Sequence, residues 1–115
     1  NVQQMKELLT NLLSNAVKYN HPGGQVWINI REQGGSMVIR VRDNGMGIPE
    51  ESLDRIFERF YRVDKGRSRK QGGTGLGLSI VKHIVNFYQG TIHVTSRLEQ
   101  GTEFVVTIPM DRDGI

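Results

Sequence analysis

The sequence predicts a two-layer α+β sandwich, with helices on one face of a largely antiparallel sheet. Apolar residues recur at helical spacing over 2–19 and again over 75–88. Four short segments, grouped in two pairs around glycine-containing turns, read as strands, the first by clear alternation of apolar and polar residues. The resulting order is helix, two strands, short helix, loop, helix, two strands, which suits helices packed against one sheet face. At 115 residues the chain supports a single core rather than two. Its 37% apolar and 23% charged residues are those of a folded globular domain and argue against disorder. Residues 1–110 are expected to form the domain and 111–115 a tail.

The first helix is expected over 2–19. Met5, Leu8, Leu9, Leu12, Leu13, Ala16 and Val17 form its apolar stripe. Glu7, Asn11, Asn15 and Lys18 form a second, polar stripe along one flank of the first. Asparagine is a poor helix former, because its side chain competes for the backbone. Asn11 and Asn15, one turn apart, are either solvated by chance or placed for a ligand. Asn20-His21-Pro22-Gly23-Gly24 ends the helix.

A strand over 26–31 places Val26, Ile28 and Ile30 on one face and Trp27, Asn29 and Arg31 on the other. Its hairpin partner, over 37–43, puts Asp43 on the same face as Met37, Ile39 and Val41, so a carboxylate points to the core side at the strand end. A buried carboxylate needs partners. Asp43 is either an acceptor for a ligand or the cap of its own turn, a common role for Asp before Gly. Gly45 and Gly47 follow, giving the backbone room to approach a bound group. Pro49 opens a short helix expected over 50–57, with Leu53, Ile56, Phe57 and Phe60 as core residues. The helix over 75–88 should bury Leu78, Val81, Ile84 and Val85, and strands over 91–97 and 102–108 close the sheet.

Charge is concentrated. From Arg55 to Lys70 seven basic residues face two acidic ones, more positive charge than the +3 of the whole chain. The remainder is net acidic. Nucleic-acid binders more often spread basic residues along a face, so a compact polyanion such as a nucleoside triphosphate fits better. Immediately afterwards, Gly72, Gly73, Gly75 and Gly77 fall within six residues at the start of a helix. Free N–H groups and the positive dipole end there suit a phosphate, although glycine-rich turns also serve as plain loops. No run approaches the ~18 to 20 apolar residues of a membrane span, and no signal peptide is expected. The absence of cysteine excludes a disulfide framework and thiolate metal sites and fits a reducing compartment.

Four segments resemble, in order, the motifs of sensor histidine kinases. Asn11-Leu12-Leu13-Ser14-Asn15-Ala16-Val17-Lys18-Tyr19 is similar to the N box and Asp43-Asn44-Gly45-Met46-Gly47-Ile48 to the G1 box. Ile56-Phe57-Glu58-Arg59-Phe60-Tyr61-Arg62-Val63-Asp64 resembles the F box, and Gly73-Thr74-Gly75-Leu76-Gly77-Leu78 the G2 box. The resemblance spans nearly the whole chain. It implies the catalytic and ATP-binding domain with the Bergerat fold, three helices on a mixed, mainly antiparallel sheet. It further implies ATP as substrate, ADP as product and Mg²⁺ as cofactor. Asp43 would accept from the adenine amino group, with Thr102 in the same network and Gly45, Gly47 and Ile48 around the base. Asn15 would ligate Mg²⁺ with Asn11 beside it, Lys18 would meet the phosphates, and Tyr19 the ribose or base edge. Gly73, Thr74, Gly75, Leu76, Gly77 and Leu78 would cradle the phosphates. Residues 61–73 would form a lid, with Phe57 and Tyr61 bordering the nucleotide and Arg62 reaching the phosphates. Asn11, Lys18 and Arg62 would carry the catalytic role.

ATP-hydrolysing relatives carry a water-activating Glu four residues before the Mg²⁺-binding Asn. Here that position is Asn11, which cannot serve as a general base, so hydrolysis is expected to be negligible. Glu7, one turn earlier, reads as an interface surface residue. The acceptor implied is a histidine on a separate dimerisation domain, with a response regulator receiver domain downstream. His21, His83 and His93 have no phosphoacceptor context, so the chain is expected to be a piece of a longer protein. That parent is expected to be a receptor anchored in the inner membrane, with this domain in the cytoplasm. A nucleotide-binding module without activity of its own and an anti-sigma-type serine kinase are the competing assignments. Neither a Walker sequence nor a eukaryotic-type kinase motif is present.

Overall fold

The structure, a computed structural model, describes residues 2–58 and 77–110. Helix α1 spans Val2–Lys18, followed by the hairpin β1 (Val26–Gln33) and β2 (Ser36–Asp43). After a 3₁₀ turn over Glu50–Ser52, helix α2 spans Gly77–Phe87, and β3 (Thr91–Arg97) and β4 (Gly101–Pro109) complete the fold. The strand order is β1-β2-β4-β3, with β2 and β4 central. All three pairings are antiparallel, so the sheet over the described residues is not mixed.

Strand alternation fixes which residues meet. Directly opposed residues in an antiparallel ladder share a face. The inward rows are Ile28–Val41–Phe104–Val94, Ile30–Ile39–Val106–Ile92 and, at the sheet end, Val26–Asp43–Thr102–Ser96. Leu8, Leu12 and Ala16 of α1 and Val81, Ile84 and Val85 of α2 pack onto Ile39, Val41, Phe104, Val106 and Ile108, with Ile56 joining this core. The outward face carries Trp27 and Arg42, opposed in register, with the guanidinium 4.5 Å from the indole centroid.

Three expectations are corrected. The segment 50–57 is not an α-helix. Its hydrogen bonds run from Ser52 N–H to Pro49 O, Leu53 N–H to Glu50 O and Arg55 N–H to Ser52 O, all of the three-residue type. One turn's length cannot offset helix nucleation, and no side chain caps the N-terminus. The described helical layer therefore holds two α-helices and a 3₁₀ turn rather than three helices. Val17, assigned to the apolar stripe, is 67% exposed, since α1 rests on β2 and α2 and turns that position outward. Ile28 and Ile30 are 47% and 50% exposed, because β1 is an edge strand and the helices cover it only in part. The strand alternation was right, but the helices cover only part of that face. Phe60 lies outside the described residues, as does the expected start of the second long helix at 75–76.

Burial separates two otherwise similar substitutions. Leu12→Ala removes a fully buried side chain and should cost about 2–5 kcal/mol, read as a lower urea midpoint. Ile30→Ala, half exposed on the edge strand, should cost under about 1 kcal/mol in the same titration.

Candidate functional site

The site forms where the sheet end meets the polar flank of α1. Asp43 is the last residue of β2 and only 7% exposed. Its Oδ1 accepts the Gly45 N–H at 2.9 Å, and the carboxylate also accepts the backbone N–H of Thr102, its opposite neighbour in register. Burial pushes the Asp43 carboxyl above its ordinary value, and the two N–H donors oppose that rise without cancelling it. Asp43 therefore does cap its own turn, and it does so while retaining capacity. A carboxylate has about four acceptor positions, and two remain for a ligand.

The turn after Asp43 is wedged between two elements. Met46 N–H donates to Tyr19 O at 3.2 Å, just beyond α1, and Glu99 N–H donates to Met46 O at 2.7 Å from the β3–β4 turn. Gly45 lies so close to α1's end that a Cβ would stand 2.5 Å from Tyr19 O. Gly47 has φ +77°, and a Cβ there would stand 2.2 Å from Arg97 O. Both positions thus require glycine on grounds of space, and the second also on backbone conformation. Ile48 N–H donates to Ser96 Oγ at 2.7 Å.

Tyr19 N–H in turn donates to Asn15 O at 3.2 Å, placing the turn one helical turn from Asn15. The Asn15 side chain has no hydrogen bond to any described residue. Asn11 Nδ2 donates to Glu7 O at 2.8 Å, which leaves its Oδ1 as an acceptor. That oxygen lies beside the first residue of α2, 3.1 Å from where a Gly77 Cβ would be. From Asn11 to Tyr19 the flank is about 12 Å long, with the Asp43 acceptor at one end and the α2 N-terminus at the other. Lys18 is half-buried in the last turn of α1 and borders a shallow groove with Thr10, Leu13, Ser14 and Val17.

The structure therefore links Asn11, Asn15, Tyr19, Asp43, Gly45, Gly47, Ile48, Gly77 and Thr102 through a chain of direct contacts. Phe57 stands apart from that chain. It packs edge-on to Phe104, centroids 6.3 Å apart, with Lys82 Nζ 5.7 Å from its ring, the contacts of a core-margin residue. Leu78 likewise packs against the core. Tyr61, Arg62, Gly73, Thr74, Gly75 and Leu76, with the whole expected lid, lie outside the described residues. Among the described residues no group of three or more His, Cys, Asp or Glu can hold a metal. Asn11 and Asn15 carry amide oxygens one helical turn apart, a donor type that suits a hard cation completed by phosphate and water rather than a transition metal.

Sequence inspection missed several residues that build the site. Asn20 Nδ2 donates to Gln25 O at 2.9 Å and Asn44 Oδ1 accepts Gln25 N–H at 2.7 Å, tying the end of α1 to β1 and to the Asp43 turn. Ser96 holds Ile48, Gly101 and Thr102 together. Only its strand parity, which puts it in the Asp43 row, signalled this in advance.

Comparison with known proteins identifies the family. The family model for histidine kinase-, DNA gyrase B- and HSP90-like ATPases matches residues 1–112. The sensor protein kinase WalK of Staphylococcus saprophyticus is 44% identical over 110 residues, 94% of this chain and 18% of that protein. The sensor-like histidine kinase SenX3 of Mycolicibacterium smegmatis is 48% identical over 101 residues, 88% of this chain and 26% of that protein. The chain thus spans a quarter or less, approximately, of these relatives' length. Among solved structures, the mycobacterial sensor histidine kinase MprB superposes with a TM-score of 0.84 at 31% identity, covering 95% of this chain and 74% of that one. Full-length ShkA in complex with AMPPNP gives 0.77 at 32% identity, covering 92% of this chain and 21% of that one. With a family model matched over residues 1–112 and the buried carboxylate, glycine turn and asparagine flank in contact, the chain belongs to the histidine kinase-, DNA gyrase B- and HSP90-like ATPase family as an ATP-binding domain of the sensor histidine kinase type.

Proposed function

We propose that this domain binds Mg²⁺–ATP and donates the γ-phosphoryl group to a histidine on a separate dimerisation domain, for onward transfer to an aspartate of a response regulator. One observation carries the proposal. A buried carboxylate with spare acceptor positions stands at one end of a flank whose other end, beside the α2 N-terminus, carries Asn11 rather than a carboxylate. Asp43 would hold the adenine amino group, since a base lacking that donor leaves the buried acceptor unpaired. Asn15, with Asn11 beside it, would hold the metal through amide oxygen, and the ion would neutralise charge on the transferred group. In the transfer the bond from the γ-phosphorus to the β-phosphate bridging oxygen breaks. A bond to the acceptor imidazole nitrogen forms, and ADP leaves. The residues of this chain position and orient, which is most of what phosphoryl transfer asks of a protein. Lys18 and Arg62 would act on the phosphates, and Gly73 to Leu78 would cradle them. Asn11 offers no base to activate water. Attachment of the parent protein to the inner membrane belongs to the same proposal, and no described helix is long and apolar enough to cross a membrane.

Calorimetric titration of ATP with Mg²⁺ should show binding that Asp43→Asn weakens at least about tenfold, the scale of one lost charge-assisted hydrogen bond. Asn15→Ala should reduce the Mg²⁺-dependent part of the affinity and leave metal-free nucleotide binding nearly unchanged. Adding a separately prepared acceptor-histidine domain should yield labelled protein from γ-labelled ATP. Rapid phosphate release without acceptor would instead assign the domain to the hydrolases.

Asp43 also predicts a pH effect on the nucleotide-free protein. Its raised folded pKa means that the folded state holds the proton more tightly than the unfolded chain does. That stabilisation is fully present below the ordinary value of 3.8 and is lost as pH rises through the raised value. Melting temperatures should therefore shift in favour of Asp43→Asn over wild type as pH is raised from 3.8 towards neutrality. A constant difference would contradict the burial account.

A further inference from the structure

The sheet face turned away from the helices segregates charge. Outside Arg55–Lys70 the chain carries eight basic and ten acidic residues. Four of those eight, Arg31, Arg40, Arg42 and Arg97, are exposed on this one face, where the strands carry a single acidic residue, Glu103. Among the described residues none of these five forms an ion pair within 4.0 Å. Arg31 Nε–H donates to Asn29 Oδ1 at 3.2 Å, and Arg42 stacks on Trp27. Like charges held on one sheet face repel one another, and an opposing acidic surface would relieve that repulsion.

The floor beneath these charges is apolar. Val38, between Arg31 and Thr107 in register, is only 8% exposed, and Val105 diagonal to it is half-buried. Trp27 exposes 41% of its surface on the edge strand. An apolar floor beneath tryptophan and arginine is the composition of a protein interface. All four cations are arginines, whose planar fork meets a carboxylate with two parallel hydrogen bonds. Glu103 decides between anionic partners. It stands mid-face, opposed by Arg42 on one side and Thr95 on the other. A lipid surface or a nucleic-acid backbone would set phosphates against that carboxylate, whereas a protein can set a cation there.

We propose that this face, through Trp27, Arg31, Arg40, Arg42 and Arg97, docks an acidic patch on a partner protein, with Glu103 meeting a basic side chain within that patch. The inference stands on the sheet face alone and does not depend on nucleotide binding.

Trp27 is the single tryptophan of the chain, so its fluorescence reports on this face directly. The probes are poly-L-glutamate and a glutamate-rich peptide of equal length with one central lysine, titrated into the 115-residue chain at low salt. Both should change Trp27 emission saturably, and the lysine-containing peptide should bind at least as tightly despite its lower charge. Arg40→Glu leaves the Trp27–Arg42 stack in place and should weaken both by on the order of five- to tenfold. Lys6→Glu makes the same charge change on an exposed position of α1 and should weaken them less than about twofold. Glu103→Gln should make the all-glutamate peptide the tighter of the two. Circular dichroism checks that each variant is folded, and Arg97→Glu decides the matter if Arg40→Glu is not. No saturable change in Trp27 emission with either peptide overturns the inference, as does an equal loss in Lys6→Glu. An unchanged peptide order in Glu103→Gln overturns it too. So does an oligothymidylate or a phosphatidylglycerol vesicle that saturates the signal at a lower charge concentration than either peptide, which would assign the face to nucleic acid or to a membrane.

Discussion

Burying the Asp43 carboxylate at the end of the central sheet is the constraint from which the site follows. A desolvated carboxylate is costly unless donors surround it. Two backbone N–H groups do so here, one from the turn that follows it and one from the opposing strand. Both donors are fixed by backbone geometry, so the carboxylate's direction is fixed with them. The glycines at 45 and 47 are what let that turn close against α1 on one side and β3–β4 on the other. Burial raises the Asp43 carboxyl above its ordinary value despite these donors, so they compensate its desolvation only in part.

Helix α1 couples this acceptor to the rest of the molecule. Its apolar stripe is buried under α2 and the sheet, so its polar flank cannot rotate away from the position that packing dictates. Asn11, Asn15 and Tyr19 then lie along one line, with Gly77 of α2 beside the first and the Met46 turn bound to the last. The chemistry turns on Asn11. A carboxylate there would put a base beside the α2 N-terminus, and an amide gives none. In the proposed function, this one residue on one helix face separates transfer to an external nucleophile from hydrolysis.

Local patterns made much of this legible. The α1 stripe, the β2 parity that turns Asp43 inward and the glycine turn all depend on neighbours within a few residues, where period and sterics are decisive. The segment after Pro49 failed because its apolar spacing suited a helix while its length suited only a turn. Val17 continued the stripe by spacing, yet the stripe is wider than the surface available to cover it. Ile28 and Ile30 alternate as core residues do, and edge position leaves them half exposed. Nothing within β1 itself records that it is an edge.

Sequence alone determined the two long helices and the four strands, the inward direction of Asp43 and the two asparagines on one flank, because each is set by backbone period. Tertiary structure alone decided the partners. Asp43 opposite Thr102, Asn11 against Gly77, and Ile48 tied to Ser96 are contacts between residues far apart in the chain. The strand order β1-β2-β4-β3 brings them together. The role of Ser96 shows the difference most clearly. For one serine in an alternating strand the local signal is only the face it occupies, and it acquires meaning when two other chain segments converge on its single hydroxyl.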